Sequence, residues 1–349
     1  MISLDDHSII SKSDKEDMYH KIIHTPEQLH FAYFETDLIK PEPFFKYDKS
    51  LIKRVIICGM GGSAVSADLA KAAFNKKIPV EVVKDYRLPY CDESALVIAM
   101  SYSGNTEETL TCFKEALGCG GYFGAVTSGG KLGELIKDKF ISYPLPPNLP
   151  PRSAVAYLFW GLIKIMEAFE VIESQEEVAK PVLAHLITKA GAICMAQEER
   201  SNLAKMFARQ INGKIPIIYS NNPDLYPAAY RMKCQINENS KYPAFCHTFS
   251  EMNHNEIEAW ECGKFDNFIP VFITRMSDDG QYSKRLKAFR SLLEKNNTET
   301  LDLYTEGKSV IEENFSVIYL ADMISFYLGI LNEQNPTSIE YINFLKKQL

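Results

Sequence analysis

Two corners of the sequence carry the residue types that hold a phosphate group. The first, GMGGSA at 59–64, follows the apolar run VIIC, and the second, SYSGNTEET at 101–109, stands just before a predicted helix. Backbone N–H groups and hydroxyls at a helix N-terminus hold an anion well, because unpaired donors and the positive end of the helix dipole converge there. The two corners therefore predict a site for a single phosphomonoester. Its predicted binding residues are Gly61, Gly62, Ser63, Ser101, Ser103 and Thr106.

Two other interpretations of these corners are possible. Gly59, Gly61 and Ala64 also fit the GxGxxA spacing of a dinucleotide-binding corner, with Asp85 where a ribose-binding acid would stand. That interpretation leaves the second corner without a role. Alternatively, Thr106 is simply the cap of the following helix, but a cap needs one hydroxyl and this turn has three. A site for a single phosphomonoester accounts for both corners.

The composition bounds the partners and cofactors. The formal net charge of -7 argues against binding of nucleic acid, which needs a basic face. The polar, acidic start has no secretory pattern, and the apolar run at 154–169 is too short to span a membrane and contains Lys164. Eight cysteines without a CxxC pair favour reduced thiols in a cytoplasmic protein. Because His20, His24 and His30 have no complementary ligand cluster, we expect no metal and no cofactor.

Around these corners, predicted strands and helices alternate in two series. Apolar strands separated by helices indicate parallel sheets covered on both faces, hence an α/β protein of two doubly wound lobes. The sequence predicts an N-terminal helical segment (1–48), a first lobe (49–170) that contains both predicted phosphate-binding corners, and a second lobe (171–349). A proline-rich break, PLPPNLPP at 144–151, precedes two long helical patterns at about 153–170 and 174–210 that join the lobes.

Five stretches together resemble one enzyme family. They are CGMGGSAVSADL (58–69), PPRSAVAY (150–157), QINENSKYPAF (235–245), EMNHNEIEAW (251–260) and NPTSIEYINFLKKQL (335–349). The corners resemble those of the sugar isomerase (SIS) domain, and the whole set resembles the bifunctional phosphoglucose/phosphomannose isomerases. That resemblance implies a homodimeric, metal-independent isomerase. It would interconvert glucose 6-phosphate, and mannose 6-phosphate, with fructose 6-phosphate through a cis-enediol.

The resemblance also assigns catalytic roles. It implies that Glu238 transfers the proton, that Arg152 faces the enediol oxygens, and that His254 opens the sugar ring from a neighbouring subunit. Lys346 matches the lysine that assists ring opening, although a shift of one position would select Lys347. By residue type alone, each of these side chains could instead be a solvated charge or a helix-terminal residue.

The choice of substrate stays open at two levels. In the resembling family, a small hydroxyl residue near the C-terminus admits both C2 epimers, and Thr337 or Ser338 could supply it, yet the spacing to Lys346 also allows Ile339 there. The alternatives to this function are an SIS isomerase for another phosphosugar and a non-catalytic regulator that binds phosphosugars. An apolar helix is expected to follow His254, and Glu256, two residues after this histidine, could orient its imidazole.

Overall fold

The chain folds into two compact units. The computed structural model describes residues 2–41, 49–263, 266–275 and 280–348. The first unit is His24–Leu183, and the second combines Met1–Ile23 with Ala184–Leu349. Each contains one parallel sheet flanked by helices, which confirms the predicted α/β class. The limits of the units differ from the predicted limits at both ends of the first lobe.

The difference at the N-terminus arises because the predicted segment 1–48 is not a unit of its own. Its described elements are α1 (His7–Ser13), α2 (Met18–Ile23), α3 (Thr25–His30) and a π-helix (Phe31–Glu35). Helices this short cannot bury a core by themselves, so they pack on larger elements. In the second unit the Tyr19 ring lies 5.8 Å from Phe326, and in the first the Tyr33 ring lies 5.2 Å from Trp160. The rest of the predicted segment, 42–48, lies outside the described residues.

The first unit is built on a five-stranded parallel sheet in the order β2-β1-β3-β4-β5. Its elements are β1 (Arg54–Gly59), α4 (Gly61–Phe74), β2 (Val80–Val83), β3 (Ala95–Ser101), α5 (Glu107–Ala116), β4 (Tyr122–Thr127), α6 (Gly130–Ile136), β5 (Ile141–Pro144) and α7 (Val155–Ala168). Every residue of β3 is buried, as expected for a central strand covered on both faces. Gly59 pairs with Met100, so both predicted corners leave the sheet from neighbouring strands.

The second unit contains a four-stranded parallel sheet in the order β7-β6-β8-β9. The remaining elements of the chain are α8 (Glu176–Ile193), which spans the division between the units, α9 (Leu203–Ile211), β6 (Ile215–Ser220), α10 (Tyr226–Ser240), β7 (Phe245–Thr248), α11 (Phe249–Met252), β8 (Phe268–Arg275), α12 (Gln281–Lys295), β9 (Leu301–Thr305), α13 (Val310–Leu331) and α14 (Glu340–Lys346). Helices α10 and α13 pack closely: a Cβ on Gly329 would lie 2.7 Å from the Asn239 carbonyl oxygen.

Three local predictions were wrong. The strands β5 and β7 were missed, because each is a four-residue edge strand with too few residues to show a periodic pattern. The single long helix predicted at 174–210 is two helices. Asn202 separates them: its Oδ1 accepts a hydrogen bond from the Lys205 backbone N–H (3.1 Å) and caps α9, while its Nδ2 donates to the Cys194 carbonyl (2.9 Å). The apolar helix expected after His254 is a 3-10 helix, Glu256–Cys262.

Among the described helices, α13 is long and apolar enough to cross a membrane by length and composition. The apolar window of α13 is entirely buried inside the protein, where it packs against α9, α10 and α2. A buried core helix passes the same test, so this helix is explained by its packing.

Candidate active site

In the first unit, the hydroxyls of the serine- and threonine-rich turn are organised around the start of α5. Ser101 is buried at the end of β3, and its Oγ lies 2.8 Å from the Thr106 Oγ1. Thr106 occupies the cap position, but its side chain does not bond the N–H groups of the first turn of α5. Ser103 is exposed, and its Oγ accepts from the Asn105 N–H at 3.3 Å. The turn therefore does not use Thr106 as a plain side-chain cap of α5.

Glycine holds this turn against the next one. Gly104 has φ +67°, and a Cβ there would lie 1.7 Å from the Gly129 carbonyl oxygen. The Leu132 N–H donates to the Gly104 carbonyl (2.9 Å), and the Lys131 N–H donates to the Asn105 Oδ1 (3.1 Å). Since any side chain at 104 would collide with backbone, the glycine fixes the shape of the turn.

In the glycine-rich corner, Gly61 faces open space and Gly62 packs against the backbone of another segment. Gly61 has φ +52° with open space where its Cβ would be, whereas a Cβ on Gly62 would lie 3.0 Å from the Pro151 carbonyl oxygen and 3.7 Å from the Cα of Arg152. Ser63 is buried in the first turn of α4. Gly61 therefore leaves room for a ligand, and Gly62 allows the segment that carries Arg152 to approach.

Arg152 lies in a 3-10 helix, Pro151–Ser153, directly before α7. The alternative of a solvated arginine is wrong, because only 5% of Arg152 is exposed. A buried guanidinium beside the glycine-rich corner is a fixed positive charge, which suits a developing oxyanion. The first unit thus brings Gly61, Gly62, Ser63 and Arg152 together at the carboxyl edge of its sheet.

In the second unit, Glu238 lines a cleft of about 1000 Å³. The glutamate stands in the last turn of α10, half-buried, and the helix ends at Lys241, whose φ of +52° reverses the chain. The same cleft is lined by all three positions considered for the choice of C2 epimer, which are Thr337, Ser338 and Ile339. The lining residues that sequence reasoning missed include Lys15, Glu16, Lys241 and Asn335.

The asparagines on either side of Glu238 form hydrogen bonds that fix the end of α10. The Asn237 Nδ2 donates to the Tyr242 carbonyl (2.8 Å), and the Asn239 Nδ2 donates to the Ser325 Oγ of α13 (2.9 Å). The Lys241 Nζ donates to the Glu238 main-chain carbonyl at 2.7 Å. These bonds fix the backbone of the helix end, and with it the position from which the Glu238 side chain enters the cleft.

His254 is exposed in the turn that follows α11. The suggestion that Glu256 orients it is wrong, because both carboxylate oxygens of Glu256 are engaged elsewhere. The Tyr219 hydroxyl donates to Oε1 (2.6 Å), and the His247 Nδ1 lies 2.9 Å from Oε2. Burial, the largest cause, raises the pKa of the Tyr219 hydroxyl, and the Glu256 carboxylate adds to that rise. Tyr219 therefore stays a protonated donor to Glu256.

Lys346 and Lys347 lie exposed at the C-terminal end of α14, whereas the cleft is lined by the start of that helix, Glu340–Asn343. Within the ranges that the structure describes, no group of three or more His, Cys, Asp or Glu is arranged to hold a metal ion.

Comparisons with known proteins relate this geometry to phosphosugar enzymes. Residues 200–349 match the family model of the bacterial phospho-glucose isomerase C-terminal SIS domain. A bifunctional phosphoglucose/phosphomannose isomerase of Caldicellulosiruptor bescii is 36% identical over 338 residues, 95% of this chain and 98% of that protein. A D-glucosamine-6-phosphate 4-epimerase of Sulfolobus acidocaldarius is 33% identical over 283 residues, 79% of this chain and 83% of that protein.

The solved structures show the same fold. A glucose-6-phosphate isomerase like protein from Thermus thermophilus superposes with a TM-score of 0.65 at 15% identity, and the match covers 100% of both chains. At that identity the likeness concerns the arrangement of strands and helices.

Proposed function

This chain belongs to the bifunctional phosphoglucose/phosphomannose isomerase family, and we propose that it interconverts glucose 6-phosphate and mannose 6-phosphate with fructose 6-phosphate through a cis-enediol, without a metal ion. The observation that carries the proposal is 36% identity along 95% of the chain to an isomerase of that name. It is supported by the hydroxyl-rich turn before α5, whose residue types suit the phosphate that both substrates carry.

Aldose-ketose isomerisation moves a proton between neighbouring carbons. In the proposed reaction, the Glu238 carboxylate takes the proton from C2 of the open-chain aldose, and O1 gains a proton to give the enediol. Glu238 then returns its proton to C1 while O2 loses one, which gives the ketose. The half-buried position of Glu238 in the cleft supports this role. Arg152, a fixed buried cation, would stabilise negative charge on the enediol oxygens.

The cyclic sugar has to open before this proton transfer. His254 is proposed to open the ring, because an imidazole donates and accepts protons near neutral pH. Its exposure supports the further proposal that it serves the site of a neighbouring subunit in a homodimer. Lys346, also exposed, would assist the same step. The proposed location is the cytoplasm, which is supported by eight cysteines that are all free.

A second candidate is 4-epimerisation of an amino sugar phosphate. The observation that favours it is the 33% identity to the D-glucosamine-6-phosphate 4-epimerase. Epimerisation inverts C4, far from the C1 and C2 at which an aldose-ketose isomerase acts. The two activities are therefore distinguished by their products.

The decisive experiment supplies glucose 6-phosphate, mannose 6-phosphate and glucosamine 6-phosphate side by side with EDTA present. We expect fructose 6-phosphate from the first two and no loss of rate with EDTA. In Glu238→Gln, exchange of the C2 proton with solvent should be abolished while phosphosugar binding persists. Glu294→Gln, an exposed glutamate in the last turn of α12, is the matched control. Turnover retained in Glu238→Gln would refute the base, and galactosamine 6-phosphate as the main product would favour the epimerase.

A further inference from the structure

The exposed His254 stands in a short loop between α11 and the 3-10 helix that follows it. Hydrogen bonds inside this loop are local. The Asn253 Nδ2 donates to the Phe249 carbonyl (2.6 Å), and the Asn255 Oδ1 accepts from the Glu256 N–H (2.6 Å). These bonds join the loop to its own neighbours in the chain, so the place of His254 on the second unit is set by the two helices that flank it.

Apolar packing attaches both of these helices to the core of the second unit. Phe249 and Met252 of α11 are buried in a cluster that also contains Tyr219 and Phe272 of the sheet. Trp260, from the 3-10 helix, is buried in the same cluster. The loop is therefore held from both sides by one hydrophobic core.

Directly after the loop, the Glu256 carboxylate is bound to two strands of the sheet. The Tyr219 hydroxyl donates to Oε1 (2.6 Å), and the His247 Nδ1 lies 2.9 Å from Oε2. Tyr219 of β6 and His247 of β7 are paired residues of neighbouring strands, so their side chains lie on the same face of the sheet. The Trp260 Nε1 also donates to the Tyr219 hydroxyl (3.2 Å). We call these four side chains the Glu256 clamp.

The Glu256 clamp holds the chain close to His254. Only two residues separate Glu256 from the histidine, so a shift of the Glu256 main chain moves the histidine too. Hydrogen bonds to an ionised carboxylate are stronger than those between neutral groups. Tyr219 is fully buried, and loss of the carboxylate would take from its hydroxyl the acceptor that the clamp supplies.

We propose that Glu256 is a positioning residue for His254: by binding Tyr219 and His247, it fixes the main chain beside His254 and holds the imidazole where it opens the sugar ring. Glu256 acts on the loop backbone and not on the imidazole, because both of its carboxylate oxygens are engaged by the clamp. The inference rests on the proposed function, since it takes His254 to be the ring-opening group. Catalysis by a positioned group is sensitive to small displacements, and a shift of about 1 Å can cost about a hundredfold in rate.

The test separates ring opening from proton transfer at C2. Ring opening breaks the C1–O5 bond, as O5 gains a proton and the O1 hydroxyl loses one, and it leaves the C2 proton in place. The full chain with Glu238→Gln should therefore still catalyse interconversion of the α and β anomers of glucose 6-phosphate, which NMR exchange spectroscopy measures.

Variants of the clamp are added to that chain. Glu256→Ala should lower the rate of anomer interconversion by about tenfold or more. Glu256→Gln should retain most of the rate, because its amide can accept from Tyr219 and donate to a neutral His247. Glu258→Ala, an exposed glutamate of the same 3-10 helix, is the matched control and should leave the rate unchanged.

A second readout distinguishes positioning from loss of folded protein. 6-Phosphogluconate is an open-chain phosphosugar, so its binding requires no ring opening, and Glu256→Ala should bind it as tightly as the parent chain does. An unchanged anomer rate in Glu256→Ala, or a fall matched by an equal loss of 6-phosphogluconate binding, would overturn the positioning role. Failure of the proposed function looks different: anomer interconversion that is not catalysed in Glu238→Gln, or that is unaffected by adding His254→Ala, would refute His254 as the ring-opening group and the inference with it.

Discussion

At the scale of single residues, the phosphate turn makes a quantitative prediction. Ser103 and the Thr106 hydroxyl stand at the start of α5, and hydrogen bonds to a charged acceptor contribute about 1.5 to 3 kcal/mol each. We expect the double substitution Ser103→Ala with Thr106→Ala to raise KM for glucose 6-phosphate at least tenfold while kcat changes less. Thr111→Ala, an exposed threonine on the same helix, is the control. An unchanged KM would mean that the phosphate binds elsewhere.

A second residue-scale prediction concerns pH. The buried Lys205 ammonium donates to the Asp5 Oδ1 (2.9 Å) and to the carbonyls of Met195 (3.0 Å) and Gln197 (2.7 Å). The hydrogen bond from Lys205 lowers the pKa of the Asp5 carboxyl. Because the folded-state pKa is depressed, the stabilisation is fully present above the ordinary aspartate pKa of about 3.9 and is lost as the pH falls through the folded-state value.

Melting temperatures of the wild type and of Asp5→Asn, measured across pH, check the predicted pH dependence of this stabilisation. Asp5→Asn should melt below the wild type from pH 7 down to about pH 5, and the gap should close below about pH 4. A gap that widens on acidification would contradict the assignment.

Which site residues could be predicted depends on whether they are contiguous in the chain. The turn at 101–106 is one short stretch, so its hydroxyl content and its place before a helix were visible in the sequence. The Glu238 cleft is assembled from separate segments, and Asn335 and Lys241 carry no local pattern that marks them. Glu238 itself was proposed only through family resemblance, because a glutamate at a helix end is ordinary by residue type.

At the scale of elements, α10 is fixed to α13 by a buried ion pair. Arg231 bonds Asp322 through two hydrogen bonds, Nε to Oδ1 (3.0 Å) and Nη2 to Oδ2 (2.6 Å), and both side chains are at most 3% exposed. Because α10 carries Glu238 at its end, this ion pair fixes the position of the helix that contributes Glu238 to the cleft.

Removing one partner leaves a buried charge uncompensated. We expect Arg231→Met to lower the free energy of unfolding by about 3 to 5 kcal/mol, and Arg231→Met combined with Asp322→Leu to recover much of that loss. Lys214→Met breaks the more exposed pair with Glu299 and should cost less than about 1 kcal/mol. Urea denaturation measures all three, and a single-variant loss no larger than that of Lys214→Met would contradict the account.

The elements that sequence analysis located share a property. β3, for example, has seven buried residues, of which the first six are apolar, and such runs stand out against the helices that flank them. The break at Asn202 was missed because its cap depends on a hydrogen bond to the backbone of Lys205, and asparagine is also found within helices. Short edge strands such as β7 depend on pairing with β6, which only the folded sheet supplies.

At the scale of the whole molecule, the N-terminal segment shows why lobes cannot be delimited by composition alone. Residues 2–23 belong with the second unit and 24–41 with the first, although the sequence presents one helical stretch. Side chains such as Tyr19 and Tyr33 decide the division by what they pack against. One continuous helical pattern in the sequence therefore contributes residues to the cores of both units.

In the proposed homodimer the catalytic groups of one site come from both subunits, and the last prediction tests that division. If His254 serves the neighbouring subunit and Glu238 its own, a mixed dimer of a His254→Ala chain and a Glu238→Gln chain contains one intact site and one site that lacks both groups. Co-expressed chains with two different tags, purified on both, should therefore recover about half of the wild-type activity. Each variant paired with itself should remain inactive. If both groups came from the same chain, every site in the mixed dimer would lack one of them, so a mixed dimer as inactive as its parents would refute the shared site.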